Sequence, residues 1–135
     1  MPSEKRQFGD MGEERAVKFL EQKGYCVLDR NYRLKWGEID IVAAKTSLLL
    51  GKIKEIIFVE VKAIDGFGSD GDLSLAAQNV HWRKQQRLIR AAKTYLAQKK
   101  ISPEIPWRID VMLVVFNPAS GLAKIEHLEN AVWGK

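Results

Sequence analysis

Two strongly apolar segments of this chain carry charged side chains where a buried strand ordinarily carries none. They are Gly37-Glu38-Ile39-Asp40-Ile41-Val42 and Phe58-Val59-Glu60-Val61-Lys62. Their Ile, Val and Phe content predicts β-strands. Side chains alternate along a strand, so Glu60 and Lys62 share one face and Val59 and Val61 the other; by the same rule Glu38 and Asp40 share a face of the preceding strand. Side-by-side pairing of the two strands brings Asp40 beside Glu60. Charge inside an apolar sheet is costly unless something compensates it.

The remaining pattern builds a mixed sheet around this pair. A helix is expected over residues 12–23, with Ala16, Val17, Phe19 and Leu20 as its apolar stripe and Glu13 and Glu14 in a first turn that favours negative charge. Gly24 reads as its stop. Strands are expected at residues 25–33, 37–45 and 56–64, with Leu48 to Leu50 extending a hairpin, and then a glycine-bearing loop over 65–79. A second helix over 80–99 turns Leu88, Ala91, Ala92, Tyr95 and Leu96 inward. Pro103 and Pro106 bracket a turn, and strands at 108–116 and 122–128 follow. The order is αβββαββ, an α/β fold with helices flanking a mixed sheet. At 135 residues the chain is expected to form one domain, with residues 1–10 as a flexible lead.

Bulk properties narrow the function class without choosing it. The net charge of +5 and pI of about 9.4 favour polyanionic partners. The one cysteine, Cys26, excludes an internal disulfide or a cysteine-rich metal site, and its run Tyr25-Cys26-Val27-Leu28 suggests a buried, small apolar residue. No apolar stretch has the length of a membrane span and residues 1–10 are unlike a signal peptide, so a cytoplasmic protein with no membrane partner is expected.

A divalent cation would compensate the paired acids. Mg²⁺ or Mn²⁺ prefers oxygen ligands, keeps water and substrate phosphate as its remaining ligands, and supplies both an activated water and charge neutralisation at a scissile phosphate. Lys62, on the face of Glu60, suits orientation of the nucleophile or stabilisation of the transition state.

Asp40, a spacer of nineteen residues, and then Glu60-Val61-Lys62 resemble the D…E-x-K signature of PD-(D/E)XK nucleases. More closely, Gly12-Glu13-Glu14-Arg15-Ala16, Arg30-Asn31-Tyr32-Arg33, Gly37-Glu38-Ile39-Asp40, Phe58-Val59-Glu60-Val61-Lys62 and Lys84-Gln85-Gln86-Arg87 are similar to the YraN-type family, small bacterial proteins that resemble archaeal Holliday junction resolvases. The resemblance runs from about Gly12 to Val114. It implies a restriction-endonuclease-like fold, with Asp40 and Glu60 as metal ligands, the Val61 carbonyl as a further ligand, and Lys62 as the catalytic lysine. Glu13 matches the helix glutamate that completes the acidic cluster, with Glu14 as its rival. Two departures stand out: no proline precedes Asp40, and Ala63-Ile64 stands where the family often has a basic or hydroxylic pair.

Other features have plainer readings. Glu38 suits a hairpin cap or a partner for Arg33, and Asp110 a salt-bridge or turn partner. Gly66-Phe67-Gly68-Ser69-Asp70-Gly71 fits G-x-G-x-x-G, but no helix opens from it and Asp65, Asp70 and Asp72 would repel a pyrophosphate. His81 and His127 lack the company a zinc site needs. Trp36 and Trp82 flank the proposed site and can stack on bases. Residues 80–100 carry Arg83, Lys84, Arg87, Arg90, Lys93, Lys99 and Lys100 and no acid, a row suited to a phosphate backbone. The expected nucleic-acid contacts are Arg83, Lys84, Arg87 and Arg33, with Lys84 closer to the apolar flank and so also placed to reach into the active site. Together these point to a DNA endonuclease acting on branched or structured DNA, with Mg²⁺ or Mn²⁺ and no other cofactor; by analogy with symmetric resolvases the chain would form a homodimer. The alternative is a non-cleaving nucleic-acid-binding module on the same fold, working in a larger complex.

Overall fold

The structure is a computed structural model that describes residues 3–66, 82–117 and 119–132. Its elements run α1 (Glu4–Gln22), β1 (Cys26–Leu34), β2 (Gly37–Thr46), β3 (Ile53–Asp65), α2 (Trp82–Gln98), β4 (Trp107–Phe116) and β5 (Ala123–Leu128). This is the αβββαββ order. The five strands form one sheet in sequence order, with β3 and β4 parallel and the other neighbours antiparallel. A parallel pair needs a crossover, and α2 lies within that connection.

Each helix covers one face of the sheet. Ala16, Val17 and Leu20 of α1 pack on Ile41, Ala43, Ile57, Val59, Met112 and Val114. Leu88, Ile89, Ala91, Ala92 and Tyr95 of α2 pack on the opposite face, against Ile39, Val42, Phe58, Ile109, Val111 and Leu113. Both faces of β3 are therefore buried over Ile56 to Val59, which is why that stretch reads as a continuous apolar run rather than an alternating one.

Three local expectations differ. The helix expected from Gly12 begins at Glu4, capped by the Ser3 hydroxyl on the Arg6 amide at 3.2 Å, so residues 4–10 are helical rather than a flexible lead. Leu48 to Leu50 do not extend the strands. They form the exposed tip of the β2–β3 hairpin, closed by the Ser47 amide on the Lys52 carbonyl and the Gly51 amide on the Ser47 carbonyl. Cys26 is exposed rather than buried, because it opens the edge strand β1. The loop expected over 65–79, apart from Asp65 and Gly66, lies outside the described residues, as do His81 and the side chain of Trp82. Among the described residues no helix is long and apolar enough to cross a membrane.

Candidate active site

The β2–β3 ladder ends at Ile41 opposite Val59, and one further step in that register sets Asp40 opposite Glu60. In place of another ladder bond, the Val61 amide donates to Asp40 Oδ2 at 2.8 Å. Asp40 thus holds the backbone between Glu60 and Lys62. Strict alternation fails at this rung: Ile39 packs under α2 and Ile41 under α1, although they are two residues apart. On β1 the facing residue is Asn31, with φ of 52°, left out of the pairing between Arg30–Ile41 and Tyr32–Ile39. Asparagine tolerates this left-handed conformation. An irregularity of this kind re-aims side chains and is common beside functional sites.

Asn31 Nδ2 donates to Glu13 Oε1 at 3.0 Å, and Arg30 Nε donates to the same oxygen at 3.2 Å. Glu13 is buried, and burial pushes its carboxyl above the usual range although Arg30 and Asn31 act against the rise. Glu14 is exposed and pairs outward with Arg30 at 2.8 Å. Glu13, not Glu14, is thus the buried acid of the two, and its charge acts on Asp40. The approach of α1 depends on Gly12, where a Cβ would fall 2.9 Å from the Ala63 Cβ. This gives the Ala63-Ile64 departure a packing reason. Ala63 sits beneath Gly12 on the α1 face and Ile64 packs against the α2-face core, both half-buried.

The electrostatics follow from this crowding. Asp40 is pushed up to about 8, first by burial, then by the negative charge of Glu60, with Glu13 and Glu38 adding to it and the Val61 amide opposing. Glu60 is buried on the α2 face, where Phe58 and Ile64 also point. Lys62 shares that face by alternation. Burial and the neighbouring Lys84 hold its ammonium below its usual range, with Glu60 opposing. Lys84 turns in from α2 and places Nζ 2.5 Å from Glu60 Oε1. Burial alone would lower its pKa, but the bond to Glu60 and the attraction of Asp40 and Glu38 outweigh it and raise it.

Beyond the acids lies a basic rim. Arg83, Arg87 and Arg90 are exposed along α2. Arg33, Leu34, Lys35, Trp36, Gly37, Glu38 and Arg87 line an open groove of about 560 Å³. Gly37 lets α2 pass close to the β1–β2 turn, since a Cβ there would meet the Arg87 Cβ at 3.3 Å. The Arg90 guanidinium lies 4.0 Å over the Trp36 ring, and Arg33 pairs with Glu38 at 3.4 Å. The structure thus groups Arg33 with Arg87 on the rim, but moves Lys84 from the rim into the acidic cluster.

Sequence reading missed the holders of Glu13, although Arg30-Asn31 stood within a motif already noted. It also missed the partner of His127. That ring is buried, with Nε2 2.7 Å from Asp110 Oδ2, while Asp110 also accepts from Arg108 Nε at 3.0 Å and the Asn130 amide at 2.8 Å. Burial would raise the Asp110 carboxyl, but these bonds outweigh it and hold it below the usual range. With Arg108 also on Glu55 at 3.3 Å, this second cluster is internally compensated, as expected of a structural partner.

Among the described residues no three or more His, Cys, Asp or Glu side chains form a metal cage. Asp40 and Glu60 would offer two carboxylates to a hard cation that keeps water and substrate oxygens as its other ligands.

The chain is matched over residues 12–114 by the model described as uncharacterised protein family UPF0102. Proteins carrying that family name align with most of it: one from Desulforamulus reducens is 33% identical over 98% of this chain and all of its own length. One from Dictyoglomus turgidum is 35% identical over 93% and 97%, and one from a Synechococcus strain is 41% identical over 82% and 76%. Among solved structures, an XisH family protein from Nostoc punctiforme aligns over 87% of this chain and 98% of its own at 12% identity and a TM-score of 0.37. SfsA from Pyrococcus furiosus, in complex with Ca²⁺, aligns over 93% and 63% at 16% identity and a TM-score of 0.34.

Proposed function

Since this chain belongs to the uncharacterised protein family UPF0102, and the matched region contains Glu13, Asp40, Glu60, Lys62 and Lys84, we propose that it is a metal-dependent nuclease that hydrolyses phosphodiester bonds in branched or structured DNA. The observation that carries the reading is the burial of Asp40 beside Glu60: burial first, and then the negative charge of Glu60, push Asp40 up to about 8. Two acids held together at such a cost are suited to binding a dication.

Asp40, Glu60 and the Val61 carbonyl would hold Mg²⁺ or Mn²⁺. The cation would supply an activated water and neutralise charge on the phosphate. Lys62 donates to the non-bridging oxygens of the scissile phosphate, where negative charge grows in the transition state. Glu13, fixed by Arg30 and Asn31, keeps negative potential on the Asp40 side. Arg87 and Arg33 take flanking phosphates along the groove, and Arg83 extends the track.

The second reading is a non-cleaving nucleic-acid-binding module. It is favoured by Lys84 on Glu60 and Arg30 on Glu13, which already compensate two of the three acids. A panel of linear, nicked, flapped and four-way DNA with Mg²⁺ or Mn²⁺ separates the two. Cleavage that disappears with chelator and in Asp40→Asn and Lys62→Ala supports the nuclease. Tight binding without cleavage of any substrate selects the module.

A further inference from the structure

Lys84 is the member of the α2 basic row that turns inward. Arg83, Arg87 and Arg90 are exposed, whereas Lys84 reaches an oxygen of Glu60 whose side chain is only 8% exposed. It brings one positive charge to a site where Asp40 and Glu60 together can carry two negative ones. Its own side chain is 47% exposed, so the four-carbon stem has room to swing out while the Glu60 carboxylate stays in place. One turn along the helix, Arg87 lines the groove beside Gly37 and Trp36. A Lys84 released from Glu60 would therefore fall in line with Arg83 and Arg87.

Resting on the proposed function, we propose that Lys84 is a displaceable counter-ion. It holds the place of a divalent cation on Glu60 in the resting protein and, once the cation binds, moves onto a phosphate of the nucleic acid. The bond that breaks is the Lys84–Glu60 ion pair, and the contact that forms is Lys84 to a phosphate oxygen; no covalent change is involved. Cation and DNA then bind cooperatively, because each favours the outward lysine. By linkage the factor is the same in both directions. A released lysine with no acid beside it also adds a phosphate contact that the metal-free protein lacks.

The test needs no turnover. Mn²⁺ affinity is measured calorimetrically for the whole protein, for Lys84→Met and for Asp40→Asn. DNA affinity is measured against salt with a duplex oligonucleotide, in chelator and in saturating Ca²⁺. Lys84→Met should bind Mn²⁺ roughly tenfold more tightly than wild type, because the cation no longer displaces an ammonium. In Ca²⁺ the wild-type salt slope should exceed that of Lys84→Met by nearly one unit, and in chelator the two should coincide. Lys84→Gln repeats the comparison if the methionine variant does not fold. Equal or weaker Mn²⁺ binding in Lys84→Met and Lys84→Gln, with Asp40→Asn weakened as a lost ligand requires, overturns the inference and leaves the nuclease reading standing. Absence of Mn²⁺ binding in wild type overturns both together.

Discussion

Asp40→Asn gives the sharpest thermodynamic test of the acidic cluster, because its sign separates a metal site from a structural ion pair. Asp40 titrates at about 8 in the folded protein and near 3.9 in an unfolded chain. A carboxyl raised in this way holds its proton more tightly when folded, so folding stability falls as pH rises between those values. Below about pH 4 the group is protonated in both states and costs nothing; above about pH 8 it is ionised in both and the cost is complete. By pH 7 about three units have been crossed at about 1.4 kcal/mol each, an upper limit of about 4 kcal/mol. The carboxyl is partly open to water and can rotate away from Glu60, so we expect a measured effect of about 1–3 kcal/mol. Asparagine removes the charge but keeps an oxygen to accept the Val61 amide. Urea denaturation followed by tryptophan fluorescence in chelator, from pH 4.5 to 8, should show Asp40→Asn equal to wild type at the acid end and more stable at the alkaline end. Saturating Mg²⁺ should then reverse the order, because only wild type gains ligand stabilisation. A loss of several kcal/mol at every pH would refute this reasoning and make Asp40 half of a structural pair whose partner is stranded by the change.

Replacing Arg83 and Arg87 with alanine should weaken DNA binding about equally for all sequences and flatten the slope of log affinity against log salt by roughly two units, read in a metal-free salt titration. Asp110→Ala should cost about 2–4 kcal/mol in urea denaturation, because it removes the buried acceptor of the Asn130 amide and of His127, while Arg108 keeps Glu55. Gly12→Ala should destabilise by about 1–3 kcal/mol, since the new methyl meets the Ala63 Cβ at 2.9 Å. Its DNA affinity in chelator should stay near that of wild type, because the basic rim lies on β1, β2 and α2.

Much of this architecture was legible in the chain because it depends on local periodicity. The apolar stripes of both helices, the apolar runs of the inner strands and the turn residues between them each follow from a repeat of two or of about 3.6 residues. The element order came from the same source, as did the shared face of Glu60 and Lys62 on β3 and the strand pairing that sets Asp40 opposite Glu60. The early start of α1 was not legible, because residues 4–11 lack a clean apolar stripe and owe their helix to the Ser3 cap and the aromatic contact of Phe8 with Phe116 at 5.1 Å.

What only the tertiary structure decided concerns partners distant in sequence. The choice between Glu13 and Glu14 rests on how α1 rotates over β1, which Gly12 and Ala63 fix by contact across 51 residues of chain. The break in alternation at Asp40 arises because β1 and β2 distort together at Asn31, and no one-strand pattern contains that information. Helical spacing puts Lys84 nearer the apolar flank than Arg83 or Arg87, which suggests a reach toward the site; that it lands on Glu60 follows from the packing of α2 on the sheet. Sequence fixes which side chains are charged and which face of its own element each occupies. Packing between elements fixes which charges meet, and burial at those meetings turns an ordinary aspartate into one that holds its proton to about pH 8.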